Sequence, residues 1–165
     1  MLALAAVIAI AAASAPAAPD LTVPADASLS LRAQGRGVQI YVCEAKPDQP
    51  GRYDWRFVAP EADLFGPGGE KIGRHYAGPS WEGLDGGKVV GDVLAKAPSP
   101  DPAAIDWLLL SAKSANGAGV LGRTRYVRRI DTVGGKAPAD GCSAAHAGEQ
   151  SRVSYTAVYE FYSPG

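Results

Sequence analysis

Arg152-Val153-Ser154-Tyr155-Thr156-Ala157-Val158-Tyr159-Glu160-Phe161-Tyr162 decides the fold class, because its residues alternate with a period of two. Val153, Tyr155, Ala157, Tyr159 and Phe161 share one face of an extended chain, and Ser154, Thr156, Val158 and Glu160 share the other. β-Branched and aromatic side chains on such a ladder predict a strand. Working back along the chain, the same signal recurs. Val38-Gln39-Ile40-Tyr41-Val42-Cys43 reads as a strand, and Tyr53–Val58 places Tyr53, Trp55 and Phe57 opposite Asp54 and Arg56. Ile72–Tyr76 and Lys88–Ala97 follow, the second with a glycine, Gly91, that marks a bulge. Ile105–Leu110 is apolar at both parities except at Asp106, as expected of a strand buried on both sides. Arg123–Asp131 is an unusually basic strand, and Ser28–Ala33 adds a short one in the lead-in arm. Short Gly/Pro-rich connections join seven to eight strands with no convincing helix, so the expectation is all-β: a single-domain antiparallel β-sandwich or closed β-barrel.

The connections are also informative. Glu61–Gly69 is expected to make one helical turn at most before Pro67-Gly68-Gly69 turns the chain. Lys71–Gly87, KIGRHYAGPSWEGLDGG, packs a His, a Tyr, a Trp and two carboxylates among five glycines and a proline. It reads as a rigid turn holding polar and aromatic groups outward. Trp81 is accordingly expected to be partly exposed, and the strand residues Trp55 and Trp107 to lie in the core.

At the start of the chain, MLALAAVIAIAAASAPAAPD is an apolar run ending in small residues and prolines. It is too short for a membrane span and reads as a signal peptide over 1–17, with Ala15-Pro16-Ala17 at the cleavage site. No Lys or Arg stands near Met1, so the alternatives are a start further upstream or an uncleaved apolar tail. The reading taken is a removed signal, a β domain over 18–165, a secreted or periplasmic location, and no stable membrane insertion after signal removal. The net charge of -1 offers no basic field for nucleic acid. The only two cysteines, Cys43 and Cys142, are expected to pair in an oxidising compartment and to tie the first core strand to the loop before the last.

Motif tests for chemistry are mostly negative. Gly78-Pro79-Ser80-Trp81-Glu82-Gly83 misses the nucleophile elbow, having Glu82 where the second glycine belongs. Gly117-Ala118-Gly119-Val120-Leu121-Gly122 matches a dinucleotide fingerprint but opens into a strand rather than the required helix. His75 and His146 lack ligand spacing, so no metal is expected, and no cofactor. His75 is the best candidate for chemistry, with Tyr76, Ser80, Trp81, Glu82 and Asp85 close in sequence: a general base, an orienting carboxylate and an aromatic wall from one loop. The plainer account makes it a hydrogen-bonded structural histidine. Arg123, Arg125 and Arg129 share one strand parity and could bind an anion in bidentate fashion, or could pair with acids on a solvated sheet face. His75, Tyr76, Trp81, Glu82 and Arg125 are the expected ligand-binding residues, and His75, Glu82 and Asp85 the candidate catalytic ones.

Val38–Cys43, Trp55–Ala62 (WRFVAPEA), His75–Glu82 (HYAGPSWE), Trp107–Leu110 (WLLL), Thr132–Pro138 (TVGGKAP) and Gly141-Cys142 together resemble a family of exported bacterial and fungal proteins catalogued as a domain of unknown function. The resemblance covers nearly the whole chain after the leader, departing at Asp106, where relatives are expected to carry proline. It implies a secreted single-domain protein and transfers no catalytic residue. A malate-dehydrogenase label carried by some fungal relatives does not fit this strand pattern. The leading expectation is a domain that binds a small molecule or glycan, with the His75–Asp85 loop as its rim. The alternatives are a hydrolase whose base, His75, is held by Glu82 or Asp85 within hydrogen-bond reach, and a structural envelope interaction protein.

Overall fold

Strand β8 (Gln150–Pro164) keeps the alternation read from its sequence: Tyr155, Ala157, Tyr159 and Phe161 are all buried on one face. That face is the inside of a barrel. The computed structural model describes residues 20–165, so the leader at 1–17 lies outside the described residues. Eight antiparallel strands run in chain order, β1 (Ala27–Ala45), β2 (Tyr53–Phe65), β3 (Lys71–Tyr76), β4 (Ser80–Gly83), β5 (Lys88–Ala97), β6 (Trp107–Asn116), β7 (Tyr126–Gly134) and β8, and β1 closes on β8. Closure resolves the sandwich-or-barrel alternative and leaves no open edge along the long strands. Only two short 3-10 turns interrupt the β structure among the described residues, Leu121–Arg123 and Ala144–His146.

Two expectations are corrected by strand length. Ser28–Ala33 and Val38–Cys43 are one 19-residue strand, continuous through Gly35 and Gly37. Gly35 is an approach point rather than a break: a Cβ there would lie 2.5 Å from Cε2 of Tyr159, so the missing side chain makes room for that ring. Likewise Glu61–Phe65 forms no helical turn. Pairing with Gln34–Val38 on β1 and with β3 supplies its backbone hydrogen bonds, and the turn waits until Gly66–Gly69. The bulge read at Gly91 is present, as a register shift between Val90 and Gly91.

Inside the barrel, Leu64, Trp81, Val89, Leu110, Val127 and Phe161 pack with Leu121, whose 3-10 turn follows β6 and closes that end. Consecutive hairpin turns of such a barrel fall at opposite ends. The β2–β3, β4–β5 and β6–β7 connections therefore share the closed end, and the β1–β2, β3–β4, β5–β6 and β7–β8 connections share the other. At that second end the Cys43–Cys142 disulfide, with Cα atoms 5.4 Å apart, fastens the β7–β8 loop to the end of β1 as expected.

Candidate functional site

The β3–β4 hairpin carries His75 and Trp81 as directly paired residues, both pointing into the barrel. His75 is 2 % exposed and Trp81 1 %, and their rings stack at 4.5 Å between centroids, with Tyr159 tilted against the imidazole at 5.0 Å. The expectation of a partly exposed Trp81 is thus overturned. What reads as a loop is a hairpin with its turn at Ala77–Pro79, and strand alternation sends Trp81 inward. Trp55 and Trp107, expected in the core, are only half-buried; the Trp55 indole donates to the Asp140 carbonyl at 2.8 Å, covering the disulfide loop. Nδ1–H of His75 donates to the Ser80 carbonyl at 2.8 Å, leaving the lone pair on Nε2. Burial drives its pKa down to about 3, with the Ser80 bond opposing and the charge of Arg129 reinforcing the shift. The ring is neutral at ordinary pH.

The remaining candidates do not gather around it. Glu82 and Tyr76 lie at the other parity of the hairpin, on the outside of the barrel, where the Tyr76 hydroxyl donates to Glu82 at 2.6 Å and Arg74 pairs with Glu82 at 3.2 Å. These bonds hold the Glu82 carboxyl below its usual range. Asp85 sits in the β4–β5 turn at the closed end and accepts from the Gly87 N–H at 2.9 Å. Arg125 leaves the β6–β7 connection at the same end and pairs with Asp26 at 3.0 Å. His146, in its exposed 3-10 turn, bonds Ser143 at 2.9 Å through Nδ1. The base-and-carboxylate set of His75, Glu82 and Asp85 is therefore not assembled: parity separates one acid from the imidazole, and hairpin alternation the other.

His75 does reach one site. It forms part of the floor of a cavity of about 650 Å³ in the open end of the barrel. Gln39 and Tyr41 of β1, Ile105, Asp106 and Leu108 at the start of β6, and Arg129 of β7 line its interior, with Phe57, Val58 and Val93 on the rim. Arg129 follows Val127 at the same parity and lies opposite Leu108 on one neighbour and Tyr159 on the other, so its side chain enters the lumen. Its Nε and Nη2 donate to the Asp106 carbonyl at 3.0 and 2.7 Å. Behind it Tyr155 and Tyr159 join hydroxyls at 3.0 Å, and burial pushes both phenols above their usual range. Tyr41 donates to the Gly135 carbonyl at 2.6 Å. The Gln39 amide nitrogen is enclosed and without a partner.

The family model described as "Protein of unknown function (DUF3455)" matches residues 24–71 and 66–163, which together span nearly all of the described chain. The chain belongs to the DUF3455 family. Comparison with curated proteins gives no match, and comparison with solved structures gives none. The site in this DUF3455 chain thus rests on its own geometry.

Most of the cavity was missed by sequence reasoning, and the signals differ in kind. Gln39 offered one: it is the lone polar residue at the inward parity of an otherwise apolar and aromatic stretch, alternating with Val38 and Ile40 and followed two residues on by Tyr41. Arg129 was noticed only as one of a row. Arg123 is in the 3-10 turn, Arg125 precedes β7, and Arg128 faces out to Glu160 at 2.7 Å, so the row dissolves and Arg129 alone turns inward. Phe57, Val58 and Val93 look like ordinary strand residues until the barrel closes and gathers them at one mouth.

Proposed function

We propose that this protein is an extracytoplasmic small-molecule-binding barrel whose site is the open end, with His75 in its floor. The observation that carries the reading is the cavity itself: about 650 Å³, within the range of ligand sites, mainly apolar in its walls and furnished with a few convergent polar groups. The disulfide supports work outside the reducing cytoplasm, as does the apolar leader in the sequence. No described helix is long and apolar enough to cross a membrane.

A glycan is the weaker of the two ligand classes expected from sequence. Sugar rings are held by exposed aromatic faces and many polar groups, and here Trp81 is enclosed under His75 and Tyr159. General-base catalysis by His75 is weaker still. A base with a pKa of about 3 is poorly matched to neutral pH, and no carboxylate orients it.

Thermal shift of the mature chain against apolar and amphipathic small molecules tests the reading, beside the variant Ala77→Trp. Ala77 is exposed on the β3–β4 turn at the cavity wall, so an indole there fills the mouth without disturbing the core. Binders should raise the midpoint of the parent and leave that of the variant unmoved. Equal shifts in both proteins place binding elsewhere and reject the site.

A further inference from the structure

We infer that the ligand of the open end is an amphipathic carboxylate, its carboxyl group held by Arg129 and Gln39 and its apolar body lying against Phe57, Val58 and Val93. This rests on the reading of the open end as a binding site and names the chemistry it selects.

The first observation is a charge without a counter-ion. Arg32, Arg56, Arg74, Arg125, Arg128 and Arg152 each pair with an acid, and Arg36, Arg52 and Arg123, which do not, are exposed to water. Arg129, part-buried in the lumen, forms no ion pair among the described residues; two of its N–H groups are spent on the Asp106 carbonyl. A guanidinium carries five N–H groups in a planar fork, so donors remain after that contact. A cation out of bulk water is stabilised by an opposite charge at short range. Asp106, the residue whose carbonyl Arg129 binds, has its carboxylate paired with Lys96 at 3.7 Å, and no ion pair joins it to Arg129.

The second observation is independent of the first. Gln39 is 2 % exposed, lines the same cavity and leaves its amide nitrogen without an acceptor. An enclosed donor left unpaired costs more than the net gain of most hydrogen bonds made, so a ligand acceptor reaching it gains doubly. Both unmet demands are for acceptors, and one of them is for negative charge. At the mouth, Lys96 and Lys136 add two cations, and Asp106 is the single carboxylate lining the cavity, 3.7 Å from Lys96. Neutral His75 and the tyrosine hydroxyls bring no further positive charge to the floor, so one guanidinium and one amide face a monoanion. A dianionic phosphate would need more cations than the interior holds. The apolar rim asks the rest of the ligand to be hydrocarbon.

Titration calorimetry of the mature protein with matched probes tests this: naphthalene-2-carboxylate against naphthalene-2-carboxamide, decanoate against decanol, and naphthalene-2-sulfonate and naphthyl phosphate as other anions. Each acid should bind about ten-fold or more tighter than its neutral partner. Arg129→Gln should erase that preference while keeping the affinity for the neutral probes. Gln39→Glu, which supplies the missing counter-charge from within, should also abolish acid binding, and it serves where Arg129→Gln fails to fold. Equal binding of acid and amide, a preference that survives both substitutions, or tighter binding of the phosphate overturns the carboxylate while leaving the pocket in place. Binding of none of the probes, neutral ones included, overturns the pocket and the carboxylate together.

Discussion

The two halves of the lumen are built from the same eight strands by opposite rules. Toward the closed end the core is apolar: Leu64, Val89, Leu110, Val127 and Phe161 fill the space around Trp81 under the lid of Leu121, and the buried Thr124 hydroxyl is spent on the Val120 carbonyl. Toward the open end the inward positions turn to Gln39, Tyr41 and Arg129, which line a cavity, with Tyr155 bonded to Tyr159 behind them. His75 stands at the boundary, stacked on the last member of the packed half and forming part of the floor of the open one. One half supplies stability by burial, and the other gives some of it up to keep a cavity. The open end is fastened by a covalent tie where the closed end relies on packing.

The sharpest way to break this comparison is to hollow the packed half. Trp81→Ala removes an enclosed indole that contacts His75, Tyr159 and Phe161, and should cost about 3–5 kcal/mol, read from denaturant midpoints at constant slope. A loss under about 1 kcal/mol would mean that this half is not a rigid core. The open half answers to a different change. Reducing Cys43–Cys142 releases a tie spanning 99 residues of sequence and should lower stability by about 2–5 kcal/mol. Hydrogen exchange should then rise first in the β7–β8 loop and spare β3–β5; a uniform rise would contradict the division.

The boundary itself is readable by pH. His75 has a folded pKa of about 3 against 6.5 when free, so between those values the unfolded chain binds a proton that the folded barrel refuses. Its contribution is therefore fully present above about pH 6.5 and is lost as pH falls, by about 1.4 kcal/mol per unit inside the window. His75→Phe keeps a flat ring against Trp81 and should flatten the difference in stability between pH 6 and pH 4.5 that the parent shows. An unchanged slope in the variant would assign the acid sensitivity to carboxylates instead.

What the sequence alone reveals follows the same division. The alternation in Arg152–Tyr162 places Tyr155, Ala157, Tyr159 and Phe161 inward, because side-chain direction along a strand is a local property with a period of two; only at Glu160 and Tyr162, which bond each other under Arg128, is the outer face buried as well. The disulfide was legible from two cysteines and the expectation of an oxidising compartment. The site was legible only at His75. Its neighbours in sequence, Glu82 and Asp85, are carried to the outer face and to the opposite end by the hairpin. Its neighbours in space, Gln39 and Arg129, come from strands far away in the chain, and only closure of β1 onto β8 brings them to one mouth. A linear motif reports on one hairpin, and a barrel mouth is assembled from all of them.

The smallest effect on stability is also the most discriminating. Val93 and Phe57 are 54 % and 47 % exposed, each at the rim of the cavity, and Val93 sits at the second bulge of β5, where the register slips between Val93 and Ala95. If these side chains served the core, truncation would cost what buried apolar area costs, about 25 cal/mol per Å² removed from contact. Half-exposed and facing a void, they have little to lose, and Val93→Ser should change the unfolding free energy by no more than about 0.5 kcal/mol. Ligand affinity should respond the other way, because an occupied mouth covers the rim and makes the same methyl groups buried. A several-fold loss of affinity for decanoate, with the unliganded protein as stable as its parent, would show that the open half keeps its apolar surface for something other than folding. A stability loss with no change in affinity would return the rim to the barrel and erase the distinction between the two halves.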